Sequence, residues 1–326
     1  MPLWERIADL LPAEPLIASR PFLWDYDRLR PTLLESAELI GADEAERRVL
    51  VLENPGLEGS SAVTETLFGG LQLIMPGEIA PSHRHSPAAI RFILECDRAF
   101  TAVEGERVYM SPGDFILNPS WAWHDHVHEG QKPVIWLDVL DLPTVRALGP
   151  RFAEHYAEHR FPERHAAGDS SYRYGTNMRP VGPAETAWPV PLSFPYRATR
   201  AALERLKLNH AWDSCHGLKM EYIDPMTGGP ALPTISAFLQ LLPAGFNGAS
   251  YRTTEGSIFC VVEGRGRVRI ESGDAGRILA FKPRDIFVIP CWVPYSIAAD
   301  EETVLFSASD RGTQIKLGLW REQRGE

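Results

Sequence analysis

His83 and His85 are separated by a single arginine in the stretch Gly77-Glu-Ile-Ala-Pro-Ser-His83-Arg-His85. On a β-strand alternate side chains share a face, so both imidazoles project together while Arg84 points away. Paired imidazoles on one rigid strand form a two-point clamp for a metal ion. An isolated His-x-His is more often a chance surface pair. A second cluster changes the balance: Gly113-Asp-Phe-Ile-Leu-Asn-Pro119-Ser-Trp-Ala-Trp-His124-Asp-His126 is another apolar strand ending in histidine. Two histidines on one strand and a third on a later one make a metal site.

The rest of the chain must hold that site. Its 326 residues exceed a usual single domain, so two domains or one duplicated domain is expected. An apolar fraction of 44% supports a full core. Lys+Arg 33 against Asp+Glu 43 gives −10, which argues against nucleic-acid partners. No apolar run reaches the roughly 20 residues of a membrane span, and no signal peptide is evident at Met-Pro-Leu-Trp-Glu-Arg. Cys96, Cys215, Cys260 and Cys291 are widely spaced without a Cys-x-x-Cys, as expected of reduced thiols in a cytoplasmic protein.

The pattern predicts helices over residues 3–48, broken by prolines at 12–21, with a strand at Arg47–Leu52. Short strands between Gly and Pro turns follow from 61 to 143, the style of a small antiparallel barrel or jelly roll. Residues 144–232 read as a connector, with helices near 144–160 and 196–209. Strands resume over 233–310, and 311–326 reads as a tail whose helix packs Leu317, Leu319 and Trp320. The division is therefore 1–60, 61–143, 144–232, 233–310 and 311–326.

The second strand-rich region repeats the first. Pro283-Arg-Asp285-Ile-Phe-Val-Ile-Pro290-Cys-Trp292 lies over Pro112-Gly-Asp114-Phe-Ile-Leu-Asn-Pro119-Ser-Trp121. In this alignment the three histidine positions become Tyr251, Thr253 and Tyr295. Tyrosine and threonine are poor ligands for an iron-like divalent metal, so the second barrel is expected to be metal-free.

These motifs carry a resemblance. Arg47-Arg-Val-Leu-Val-Leu-Glu-Asn-Pro-Gly, His83-Arg-His, Arg91-Phe-Ile, Trp121-Ala-Trp-His-Asp-His, Trp136-Leu-Asp138, Cys215-His-Gly and Leu317-Gly-Leu-Trp-Arg run over nearly the whole chain. Together the sequence resembles the bicupin ring-cleaving dioxygenases, the gentisate 1,2-dioxygenase family in particular. The resemblance implies a mainly β bicupin: two jelly-roll, double-stranded β-helix barrels with an N-terminal helical arm and a helical connector. It implies iron ligands at His83, His85 and His124, and substrate contacts at Arg47, Gln72 and Arg91, with His126 and Asp138 in catalytic roles. Its partners are a small aromatic hydroxy acid and O2, and its assembly a homotetramer. Imidazole suits Fe, Zn and Cu, but only a redox-active metal activates O2, which points to Fe(II). Phe68, Pro87 and Cys96 depart from the family pattern.

The residues themselves add detail. Arg91 shares parity with His83 and His85, facing inward if the strand keeps register past Pro87; a surface ion pair is the alternative. An inward guanidinium offers the bidentate donor a carboxylate wants. His126 shares parity with His124 and is placed to exchange a proton with a bound hydroxyl. Asp138 lies in the apolar strand Val134–Leu140 and needs a partner: His126, a substrate hydroxyl or a structural cation. Arg47 either binds substrate or pairs near a helix end, and Gln72 either donates to substrate or ties strands. His128, beside Gly130, reads as solvent-facing. His155-Tyr-Ala-Glu158-His159 matches a zinc-protease pattern, with a solvated helix face the stronger reading. Gentisate is the favoured substrate, with salicylate or 1-hydroxy-2-naphthoate next. A non-redox metal isomerase and a non-catalytic binding bicupin are the competing classes.

Overall fold

The computed structural model describes residues 2–182, 188, 190–271 and 276–325. The N-terminal region is less helical than its pattern suggests. After a 3-10 turn at Leu3–Glu5 and a single turn α1 (Ile7–Leu10), a short strand β1 (Phe22–Trp24) leads into α2 (Tyr26–Leu39). Asp25 caps α2, its side chain accepting from Asp27 N at 3.0 Å. One more turn, α3 (Ala42–Ala45), precedes β2 (Val49–Val51), the strand expected after Arg47.

Eight strands then build the first barrel: β3 (Phe68–Ile74), β4 (Ile79–His85), β5 (Ala89–Glu95), β6 (Ala99–Val103), β7 (Glu106–Tyr109), β8 (Phe115–Asn118), β9 (His124–His128) and β10 (Val134–Leu140). The connector holds α4 (Leu142–Leu148), β11 (Ala153–His155), α5 (Asp169–Tyr174), β12 (Ser193–Phe194), α6 (Tyr196–Lys207) and β13 (Leu218–Glu221). The helix expected over 144–160 thus ends at Leu148, where Gly149 adopts φ +102° and Pro150 follows. β11 pairs with β4 instead, setting His155 opposite His83. The barrel closes as two sheets, β12-β8-β5-β10-β3-β2 and β11-β4-β9-β6-β7.

The second barrel uses β14 (Ser236–Leu242), β15 (Tyr251–Thr253), β16 (Ser257–Glu263), β17 (Gly266–Ile270), β18 (Arg277–Phe281), β19 (Ile286–Ile289), β20 (Tyr295–Ala299) and β21 (Thr303–Ser309). The chain ends in α7 (Arg311–Lys316) and β22 (Glu322–Arg324). Leu317 and Leu319 follow α7 and are exposed rather than packed. The sheets are β1-β19-β16-β21-β14-β13 and β18-β17-β20-β15-β22. The two six-stranded sheets stack across a shared apolar layer, where the Phe92 and Phe306 rings lie 4.1 Å apart. Phe92 therefore faces out of its own barrel, which turns its neighbour Arg91 inward.

The duplication extends to the arms. Pro21, Tyr26, Arg30 and Leu33 recur at the same spacing as Pro191, Tyr196, Arg200 and Leu203. Each strand–helix arm docks on the barrel of the other repeat: β1 pairs with β19, and β12 with β8. Tyr26 N donates to Asp285 Oδ1 at 3.0 Å and its hydroxyl to Glu95 at 2.9 Å. Tyr196 N donates to Asp114 Oδ1 at 2.8 Å and its hydroxyl to Glu263. Arg30 and Arg200 pair with the same two glutamates.

Candidate metal centre and substrate cavity

β4 presents His83 and His85 on one face, and β9 brings His124 across from it in the register His83↔His124. Ligating nitrogens of the three lie within 4.8 Å of one another. His83 Nε2 and His124 Nε2 are 2.9 Å apart. The Nδ1 atoms of His85 and His124 point instead at the carbonyls of Pro87 (2.7 Å) and Ala122 (2.9 Å). A Nδ1–H donated to a carbonyl leaves Nε2 bare, which is the tautomer a metal ligand needs. Burial holds His83 down to about 2 and His85 to about 4, with Arg47 adding to the effect at His83. Burial also drives His124 well below its ordinary value. All three imidazoles are neutral at pH 7, so this donor set fits a divalent metal of intermediate softness. Arg84 points away, as alternation requires, ion-paired to Glu154 and lying over the Trp121 and Trp123 rings.

Beyond the histidines the barrel interior is polar where a core would be apolar. The strand does not run through Pro87: β4 stops at His85 and Arg91 belongs to β5, in the opposite sheet. Its inward direction comes from β5's own alternation and not from parity with His83. Arg91 is 3% exposed, with Nε 3.1 Å from Asp138 Oδ1. Burial lowers the guanidinium and raises the carboxyl, and each opposes the shift of the other. Arg91 Nη1 donates to Asn118 Oδ1 at 2.7 Å and Thr101 Oγ1 at 3.1 Å. Its guanidinium also lies over the Trp136 ring.

His126 is wholly buried beside Trp136, with ring centres 5.2 Å apart. Thr101, not Asp138, holds it, through Nδ1 at 2.8 Å. His126 Nε2 and Gln72 Nε2 are both buried without a hydrogen-bond partner. Buried polar groups are nearly always satisfied, so two orphans at one place mark where a ligand belongs.

Arg47 sits at the entrance, donating to Pro81 O at 2.7 Å and Glu46 O at 2.8 Å. Burial, reinforced by the charge of Arg91, brings it down to about 9. A cavity of about 220 Å³ opens there, lined by Arg47, Ser82, His83, His155, Tyr156 and His159. His155 is thus a strand residue at the mouth, and the protease-like helix does not exist. His128 is 3% exposed and accepts from Gly130 N at 2.9 Å, so its solvent-facing reading is also corrected.

In the second barrel, Tyr251 and Tyr295 pair across β15 and β20 with their rings 5.8 Å apart and perpendicular. Matching strand registers carry Arg91, Thr101, Asn118 and His126 onto Phe259, Val268, Ile289 and Ile297. Those four form part of a buried apolar cluster.

Comparison with known proteins places this geometry. A cupin-domain family model matches residues 70–140. Gentisate 1,2 dioxygenase 1 of Aquipseudomonas alcaligenes is 48% identical, covering 99% of this chain and 92% of that one. The chain belongs to the gentisate 1,2-dioxygenase family. Family members differ in substrate: a 5-aminosalicylate 1,2-dioxygenase of Comamonas sp is 33% identical over 99% of this chain and 86% of its own. The structure of a salicylate 1,2-dioxygenase from Pseudoaminobacter salicylatoxidans with gentisate superposes at TM-score 0.90, 31% identical, covering 99% of this chain and 90% of that one. The chain is a dioxygenase of this family and a mainly β bicupin, as the sequence motifs implied.

The family resemblance indicated His83, His85, His124, Arg47, Gln72, Arg91, His126 and Asp138; all eight belong to the first repeat, with the three histidines clustered, Arg47 at the entrance, and Gln72, Arg91, His126 and Asp138 buried. Spacing does not point to Thr101 or Asn118; Trp136 has a signal in its i, i+2 spacing from Asp138, and His155 stands in the zinc-protease-like pattern.

Proposed function

We propose that the protein opens gentisate between its carboxyl-bearing carbon and the adjacent hydroxyl-bearing carbon, giving maleylpyruvate. The orphaned nitrogens of Gln72 and His126, both next to the Trp136 ring that Arg91 overlies, carry this reading. With the Arg91 guanidinium beside them, they suit a ligand bearing a carboxylate and hydroxyl groups. Fe(II) held by His83, His85 and His124 would supply O2 activation and the chelation of a carboxylate and its neighbouring phenolate.

The side chains of the chain do the rest. Arg91, backed by Asp138, receives the substrate carboxylate, and Arg47 adds positive charge at the entrance. His126 Nε2 takes a proton from a substrate hydroxyl, and Gln72 donates to an oxygen carried on the ring. A second hydroxyl para to the first makes the ring a hydroquinone, which gives up electron density far more readily than salicylate does. A site whose buried polar groups meet that hydroxyl penalises a substrate lacking it.

The exposed Leu3, Trp4, Ile7, Leu10 and Leu11 of the N-terminal arm support a homo-oligomer, tetrameric by resemblance, in which they are covered. Four unpaired cysteines fit a cytoplasmic enzyme. Among the described residues no helix is long and apolar enough to cross a membrane.

Oxygen uptake on the iron-loaded enzyme tests the assignment. Gentisate should be turned over well above salicylate and 1-hydroxy-2-naphthoate, and hydroquinone, which lacks the carboxylate, should fail. Equal rates on salicylate and gentisate would move the enzyme to the salicylate branch.

A further inference from the structure

Thr101 stands at the junction of the two groups to which the proposed chemistry assigns substrate. It is fully buried on β6, opposite His126 in the β6–β9 register. Its hydroxyl oxygen meets three neighbours: Arg91 Nη1 at 3.1 Å, the carbonyl of Asp125 at 3.1 Å and His126 Nδ1 at 2.8 Å. A hydroxyl has one proton and two lone pairs. The guanidinium can only donate and takes one lone pair. The carbonyl can only accept and takes the proton. One lone pair remains for His126, so His126 Nδ1 must be the donor. Any other arrangement leaves two oxygens 3.1 Å apart with no proton between them.

We infer that Thr101 is a positioning residue that fixes His126 as the Nδ1-protonated tautomer, with a bare Nε2 lone pair turned to the cavity. The same hydroxyl restrains the Arg91 guanidinium, so one oxygen sets both the carboxylate-binding cation and the proton acceptor. The acceptor role rests on the reading given under the proposed function; the tautomer does not. With Nε2 bare, His126 offers the substrate a hydrogen-bond acceptor and no donor. The substrate must therefore present a free hydroxyl there, and an ether oxygen in its place would face a lone pair. The duplicated barrel is an internal control: Thr101, Arg91 and His126 are all polar in the first copy, and Val268, Phe259 and Ile297 replace them together in the second.

The test pairs Thr101→Ser, which keeps the hydroxyl, with Thr101→Val, which keeps the shape and removes it. Neutron diffraction from deuterium-exchanged crystals reads the tautomer directly. The wild type and Thr101→Ser should carry a deuteron on His126 Nδ1 and none on Nε2. In Thr101→Val, Nε2 should acquire one. Kinetically, kcat on gentisate should fall on the order of 10–100-fold in Thr101→Val with iron content unchanged, and recover in Thr101→Ser. A deuteron on Nε2 in the wild type overturns the inference, as does a Thr101→Val enzyme with wild-type tautomer and kcat. A changed tautomer with unchanged kcat overturns the acceptor role. If Thr101→Val fails to fold, the wild-type and serine maps still decide the tautomer. If the wild type consumes oxygen with no hydroxylated aromatic acid, the functional reading fails while the neutron result stands independently.

Discussion

Arg91 and Asp138 face each other across neighbouring strands, Nε to Oδ1 at 3.1 Å, with 3% and 8% of their side chains exposed. Removing one partner of so buried a pair leaves an uncompensated charge. Asp138→Asn should cost about 3–5 kcal/mol of stability, whereas Arg91→Met with Asp138→Leu together should recover most of that loss. The double variant should be folded and inactive, since the carboxylate cradle is gone. Urea unfolding read beside oxygen uptake checks both halves; a double variant no more stable than Asp138→Asn would show that the pair is not held as argued.

Metal binding and turnover separate at His124 and His126. His124→Ala should lose iron and activity together. His126→Ala should keep its iron and slow by roughly 10²–10⁴-fold, the usual contribution of a proton-transfer group. Iron content by elemental analysis decides it, and loss of metal from the His126 variant would exchange the two roles.

The second barrel has tyrosines and an apolar cluster where the first has its ligands and cradle. About one iron per chain is expected at full loading. Two per chain, one of them lost on Tyr295→Phe, would contradict the comparison of the repeats.

His216 supplies a pH test away from the metal centre. Burial, and then the charge of Lys219, holds its imidazole down to about 3, and its ring lies edge-on to Tyr251. Between pH 6.5 and 3 the unfolded chain binds a proton there that the folded chain does not. Stability therefore falls as pH falls through that window, by up to about 1.4 kcal/mol per pH unit. His216→Gln should lose less stability than the wild type between pH 6.5 and pH 5 in urea titrations. Equal losses would mean that His216 titrates alike in both states.

The three-histidine cluster was legible because side chains alternate along a strand: once His83 faced inward, His85 had to follow. Arg91 does face inward, but not through parity with His83: β4 ends at His85, before Pro87, and the inward turn belongs to β5. His155 was misread because charged neighbours mimic a solvated helix, while the edge of β4 offers hydrogen bonds that a strand alone can use. His128 looked exposed beside Gly130, yet Gly130 N and the Lys132 carbonyl hold its two ring nitrogens inside. Thr101 and Asn118 carried no signal, because each acts through partners on other strands that sequence spacing does not reveal. The exchanged arms were equally hidden: β1 and β12 are too short to show periodicity.

That exchange orders events in time. The backbone of Tyr26 waits for Asp285, 259 residues downstream, while the arm led by β12 can dock on a first barrel already synthesised. A chain made from its N-terminus keeps β1 unpaired until β19 has left the ribosome. Until then the first arm is an open strand edge, the kind that recruits other chains. Premature termination between β9 and β19 should yield an aggregation-prone fragment rather than a working half-enzyme, even though His83, His85 and His124 all lie in the part already made.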